Sequence, residues 1–124
     1  MVKVIIVDDS IFSQKISANL IKKYMNNVEL NFANNGEEGV ELYEEIKPDF
    51  IITDLLMPKL SGQELIRSIK SRDKSAKIIV VSADVQKNIR EEVEAYSILT
   101  FLNKPLQDEK AQIICNLMRE NINE

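Results

Sequence analysis

The chain has no histidine and no tryptophan among its 124 residues, and it carries one cysteine, three glycines and three prolines. Without histidine there are no imidazole general bases, no histidine-containing triads, no phosphohistidine carriers and no histidine-ligated zinc. The lone Cys115 cannot close an internal disulfide, and its position in a helical apolar pattern makes it a small buried hydrophobe. No apolar run approaches the ~20 residues of a membrane span, and the apolar part of MVKVIIVDD is too short for a signal peptide. The cytoplasm is therefore the expected compartment, with no membrane contact. Positive charge is also scarce: 16 Lys and Arg against 20 Asp and Glu give a net charge of −4, which argues against direct nucleic-acid binding. Gly36, Gly39 and Gly62 fit neither GxxxxGK nor GxGxxG, so no nucleotide-binding glycine loop is present.

What remains suits one domain spanning 1–124, of average composition and without internal repeats. Short apolar runs alternate with amphipathic stretches. Strands are expected at Lys3–Val7, Val28–Ala33, Phe50–Ile52, Lys77–Ser82 and Leu99–Leu102. The second alternates Val28, Leu30 and Phe32 with polar residues, the pattern of a half-buried strand near an edge. From Ile11 a helix is marked by Phe12, Ile16, Leu20 and Tyr24, with Asp9 or Ser10 as its N-cap. Further helices are expected at Glu37–Ile46, Gln63–Arg72 and Val85–Tyr96, and from about Gln107 until the chain frays by Asn121. The basic cluster Arg67, Lys70, Arg72, Lys74 and Lys77 and the acidic run Glu37 to Glu45 read as solvated helix faces and turns.

Strands alternating with helices specify an α/β fold, a doubly wound five-stranded parallel sheet with right-handed crossovers. For five strands the expected order is 2-1-3-4-5, the flavodoxin-like arrangement. In that order strands one and three are neighbours, so Asp8, Asp9 and Asp54 meet at one crevice beyond the carboxyl ends. Ser82 and Lys104 end strands four and five further along the same edge.

Three carboxylates brought together repel one another unless positive charge sits among them. Hard oxygen donors without His or Cys select Mg²⁺ or a similar ion. With the charge screened, a carboxylate such as Asp54 can attack phosphorus to form an aspartyl phosphate. Lys104 and Ser82 could then partner phosphoryl oxygens. Taken singly, Asp9 also reads as a solvated cap, Ser82 as a turn residue and Lys104 as a surface charge. Together they are less easily dismissed, because the loop after Asp54, with Met57-Pro58 and Gly62, is a defined one.

These residues lie in four ordered motifs: VIIVDDS at 4–10, DLLMPKLSG at 54–62, VVSAD at 80–84 and FLNKP at 101–105. Over essentially the whole chain the sequence resembles the receiver domain of two-component response regulators. That resemblance implies Asp54 as phosphoacceptor, with Mg²⁺ held by Asp8, Asp9, Asp54 and the backbone carbonyl of Leu56. It implies Ser82 as the hydroxyl that reorients toward the phosphoryl group, Lys104 as the lysine that contacts it, and Phe101 as the aromatic that turns inward in response. On the residues alone, Phe101 also reads as a core aromatic on a strand. A cis Lys104–Pro105 peptide is expected from the family, Pro58 and Gly62 shape the loop, and Leu56 and Asp84 occupy positions that tune phosphoryl lifetime.

Three positions depart from the commonest pattern. Gln14 stands where chemotaxis-type members often carry a basic residue, and Ser97 and Thr100 stand where glycine is usual. A left-handed Ser97 would cost roughly 1 kcal/mol.

The resemblance further implies a histidine kinase or phosphotransfer protein as donor. A target protein would be reached through the face of helix four, strand five and helix five, with the chain a monomer or a phosphorylation-dependent dimer. The chain would not be an enzyme beyond its own phosphorylation and dephosphorylation. Two alternatives stand beside this: a pseudo-receiver that binds without being phosphorylated, and the receiver part of a longer regulator. A stand-alone phosphatase is disfavoured by Leu56, where a second acid is normally needed, and a flavin carrier by Asp8 and Asp9, which would repel flavin phosphate.

Overall fold

The computed structural model describes residues 1–84 and 86–122. Five strands, β1 (Val2–Val7), β2 (Val28–Ala33), β3 (Phe50–Thr53), β4 (Ile78–Ser82) and β5 (Thr100–Asn103), alternate with five helices. The helices are α1 (Ile11–Tyr24), α2 (Gly36–Ile46), α3 (Gly62–Arg72), α4 (Lys87–Glu94) and α5 (Asp108–Glu120). All pairings are parallel and the order is β2-β1-β3-β4-β5, the order expected for five strands. Val85, expected to open the fourth helix, lies outside the described residues, and the described helix begins at Lys87.

The central strands are buried on both faces, which is why they read as unbroken apolar runs rather than alternating ones. One face of the sheet carries Val4, Ile6, Phe50, Ile52, Ile79 and Val81 against Ile21 of α1 and Ile114 and Met118 of α5. The other carries Ile5, Val7, Ile51, Ile78 and Val80 against Leu65, Ile66 and Ile69 of α3 and Val93 of α4. Cys115 is wholly buried in the first of these layers, as its pattern indicated.

Two apolar assignments are corrected. The buried stripe of α1 is Gln14, Ala18 and Ile21, not the series beginning at Phe12, which is 73% exposed. Leu20 and Tyr24 pack only partly against the core. The bulkier residues drew the helical phase toward themselves, whereas the face that meets the sheet carries the polar Gln14 and the small Ala18 beside Ile21. Phe32 on edge strand β2 is likewise 43% exposed, because beyond β2 there is no further strand to help cover it.

The connections follow local chemistry. Ser10, Asn35 and Ser61 cap α1, α2 and α3, each accepting a hydrogen bond from a first-turn N–H. Lys47, just before Pro48, takes a left-handed conformation and ends α2. Ser97 is left-handed as well, at φ 59°. Arg67 and Arg72 of α3 are exposed but also act as straps: Arg67 Nε donates to Tyr96 Oη at 3.1 Å, and Arg72 pairs with Glu44. No helix among the described residues is long and apolar enough to cross a membrane.

Candidate functional site

The sheet register builds the site. Val7 pairs with Thr53 at the carboxyl ends of β1 and β3, so the next residue of each strand, Asp8 and Asp54, emerges beside the other. Backbone bonds extend past the paired ends: Asp8 N donates to Ala33 O at 3.1 Å and Asp54 N to Val7 O at 3.0 Å. Asp8 and Asp54 are buried and Asp9 is exposed. An oxygen of each of the three lies within 4.8 Å of the other two, a spacing suited to one metal ion.

Each buried carboxylate is held in place. The N–H groups of Leu55 and Leu56 donate to Asp54 Oδ1 at 2.7 and 3.4 Å, and the Ser10 N–H donates to Asp8 Oδ1 at 2.9 Å. The other oxygen of each takes Lys104: its Nζ stands 2.8 Å from Asp8 Oδ2 and 2.9 Å from Asp54 Oδ2. The lysine thus reaches from the end of β5, two strands away, into the acidic cluster. Burial penalises its ammonium, but the hydrogen bonds to Asp8 and Asp54 outweigh that cost and hold its pKa above the ordinary lysine value. Three carboxylates against one ammonium still leave excess negative charge, and every donor is a hard oxygen, so the residues fit a divalent cation.

The loop after Asp54 depends on a close approach. A Cβ on Gly62 would lie 2.2 Å from the Asp54 carbonyl oxygen and 2.6 Å from Leu55 Cα, so only glycine lets α3 start there. Pro58 is exposed on the same loop and Lys59 is left-handed. Leu56 exposes 58% of its surface at the rim, its N–H turned toward Asp54. The Lys104–Pro105 peptide is cis.

Ser82 and Phe101 lie off this cluster. Ser82 is fully buried and its Oγ accepts from Asp84 N–H at 3.1 Å; among the described residues no hydrogen bond joins it to Asp54. Phe101 is 5% exposed, turned into the layer with Val80 and Val93, and the Arg90 guanidinium lies 5.0 Å from its ring centroid. The residue whose importance the sequence understated is Gln14, buried behind Asp8 with its amide donating to the Asp8 carbonyl at 2.7 Å. A signal existed, since Gln14, Ala18 and Ile21 share one helical face.

A doubly wound parallel sheet with a lysine-bridged acidic crevice beyond its carboxyl edge belongs to the switch-type α/β domains rather than to the nucleotide or flavin binders. The profile of the response regulator receiver domain matches residues 4–115, and the chain belongs to that family. It is 34% identical over 110 residues to chemotaxis protein CheY of Listeria monocytogenes, covering 89% of this chain and 92% of the relative. With chemotaxis protein CheY of Thermotoga maritima the identity is 38% over 105 residues, covering 85% and 87%. Among solved structures, the CheX–CheY–BeF3–Mg complex of Borrelia burgdorferi superposes with a TM-score of 0.84 at 27% identity, covering 98% of this chain and 90% of that one. The N-terminal domain of an uncharacterized protein from Wolinella succinogenes gives 0.86 at 29% identity, covering 97% and 95%. The chain is a receiver domain, not a conventional enzyme.

Proposed function

We propose that residues 1–124 form one phosphorylation-activated switch of a two-component system and that Asp54 is its phosphoacceptor. The observation that carries this reading is the convergence of Asp8, Asp9 and Asp54 with Lys104 bridging two of them. An Asp54 carboxylate oxygen attacks the phosphorus of a phosphohistidine on a histidine kinase or phosphotransfer protein. The P–O bond forms as the P–N bond breaks, and the departing imidazole keeps the electron pair and takes up a proton. Lys104 then exchanges part of its contact with the carboxylates for a phosphoryl oxygen, compensating charge that grows in the transition state. Ser82, buried at the end of β4, supplies a hydroxyl to another oxygen after giving up its bond from Asp84.

Asp8, Asp9, Asp54 and the Leu56 carbonyl are the residues that would hold Mg²⁺. Bound there, the ion supplies the positive charge that lets anionic donor and carboxylate meet. The Mg and BeF3 in the name of the Borrelia complex support that choice of ion.

The output follows from packing. Phe101 and Arg90 join β5 to α4, so a movement of Ser82 toward phosphate repacks the face of α4, β5 and α5, which binds a downstream protein. The cytoplasm suits this exchange, and the net charge of −4 supports a protein rather than a nucleic acid as the immediate target.

Intact mass after incubation with Mg²⁺ and acetyl phosphate tests the reading. One phosphoryl group is expected on the wild type and none on Asp54→Ala. A gain that persists in Asp54→Ala puts the phosphate on another residue, and no gain in a wild type that binds Mg²⁺ turns the domain into a binding module.

A further inference from the structure

Gln14 has no part in the chemistry above, yet no other polar residue of α1 is as well buried, at 7% exposed. Its side-chain nitrogen donates to the Asp8 carbonyl at 2.7 Å and to Asn34 Oδ1 at 2.9 Å, with Ala33 O further off at 3.4 Å. An amide has two hydrogens, so the two short contacts use both and the third is a shared, weaker one. These acceptors are the residue just after β1, the last residue of β2 and the first residue beyond it. Asp8 N already donates to Ala33 O, so the amide closes a ring that joins α1, β1 and β2 at the point where the chain enters the pocket.

The consequence falls on one carboxylate. Asp8 is fixed through its N–H by Ala33, through its carbonyl by Gln14, through Oδ1 by the Ser10 N–H and through Oδ2 by Lys104. Of the four, only the bond from Gln14 comes from a buried neutral side chain. A cation that recruits Asp8 competes with Lys104 for the carboxylate, but it leaves Gln14 untouched. Gln14 therefore holds the Asp8 main chain still while the charged contacts rearrange, and the direction of the carboxylate follows from that main chain. Asn34 holds the amide from the other side and is itself tied to Glu38 at 3.2 Å.

We propose that Gln14 is a positioning residue for the divalent-cation site, its amide fixing the Asp8 main chain so that the Asp8 carboxylate is presented ready to bind. The inference rests on the proposed role of Asp8 as a metal ligand. Residues one step behind the ligands of metal sites typically govern affinity by 10–100-fold.

The test is calorimetric titration of Mg²⁺ into the wild type, Gln14→Met and Asn34→Ala, with a thermal melt of each protein. Methionine keeps the length and bulk of glutamine but donates nothing. Gln14→Met is expected to weaken Mg²⁺ at least about tenfold, and Asn34→Ala, which frees one side of the amide, by a smaller factor. A Gln14→Met protein that melts earlier yet binds Mg²⁺ as the wild type does reduces Gln14 to a packing residue and overturns the inference. Should Gln14→Met fail to fold, the exposed Asn34→Ala decides: weakened Mg²⁺ supports the role and unchanged Mg²⁺ overturns it. A wild type that takes up no Mg²⁺ overturns the metal-site reading along with this one, whereas normal wild-type binding with unaffected variants overturns this one alone.

Discussion

Helices α1 and α4 both leave the carboxyl edge of the sheet beside the acidic pocket, and they are fastened by unlike means. α1 has 14 residues, a Ser10 cap, and Gln14, Ala18 and Ile21 buried. Its last turn is tied to α5, where Lys23 meets Asp108 at 2.5 Å and Arg119 donates to the Tyr24 carbonyl. α4 has eight residues, no side-chain cap at Gln86, and Val93 as its one buried residue. Its own pairs, Lys87 with Glu91 and Arg90 with Glu94, are exposed and long at 3.8 and 3.5 Å, a kind that contributes about 0.3–0.5 kcal/mol each. The difference teaches where the domain is rigid and where it yields. The helix that supports Asp8 is built into the core, and the helix that covers Phe101 is set lightly on it.

Substitutions can break that contrast or sharpen it. The largest effect is expected from Ile21→Ala, which empties a fully buried site under α1 and should cost about 3–4 kcal/mol in urea unfolding. Val93→Ala is equally buried but removes less, about 2 kcal/mol, and its mark should be loss of hydrogen-exchange protection confined to α4. Equal costs and equally global opening would erase the distinction.

Caps give the next pair. Ser10→Ala should destabilise by about 1 kcal/mol, and Gln86→Ser should stabilise by a similar or smaller amount, because it supplies α4 with the cap it lacks. If Gln86→Ser also slows exchange in α4, the looseness of that helix is a matter of local chemistry. Arg90→Ala should cost only about 0.5–1 kcal/mol, read in the same unfolding series, since its contact with the Phe101 ring is partly exposed.

The smallest effect concerns pH. The ammonium of Lys23, with help from the Tyr24 hydroxyl, holds the Asp108 carboxyl below its ordinary value of 3.8. A depressed folded pKa means that the strap between α1 and α5 is fully present above that ordinary value and is lost as pH falls through the lower folded one. Asp108→Asn should therefore lower stability slightly at neutral pH, where the strap is present, and leave low pH nearly unchanged, which flattens the acid limb of the stability curve.

Much of this was legible in the residues. Apolar runs that stop on Asp8, Asp54 and Ser82 mark strands buried on both faces, and alternation with helices leaves few topologies to consider. Asp8 and Asp54 meet because β1 and β3 are neighbours, which follows from strand order alone. What escaped was the rotation of α1. Hydropathy weights Phe12 and ignores Gln14 and Ala18, so it cannot detect a helix that turns an amide toward the sheet. Strand order locates the end of β5, and the FLNKP motif carries the further expectation that Lys104 points into the site, where its Nζ stands between Asp8 and Asp54. Phe101 was ambiguous for a different reason, since burial is common to core aromatics and to moving ones.

In the proposed function, a charge event at Asp54 acts on the lightly held face of α4 and β5, while α1 stays fixed. Hydrogen exchange on the wild type, with Mg²⁺ present and with acetyl phosphate added or withheld, tests that link directly. Changed protection across residues 86–103, with 11–24 unaltered, is the result expected. Protein that gains the phosphoryl mass while those residues exchange as before, or while the change falls on 11–24 instead, would contradict it.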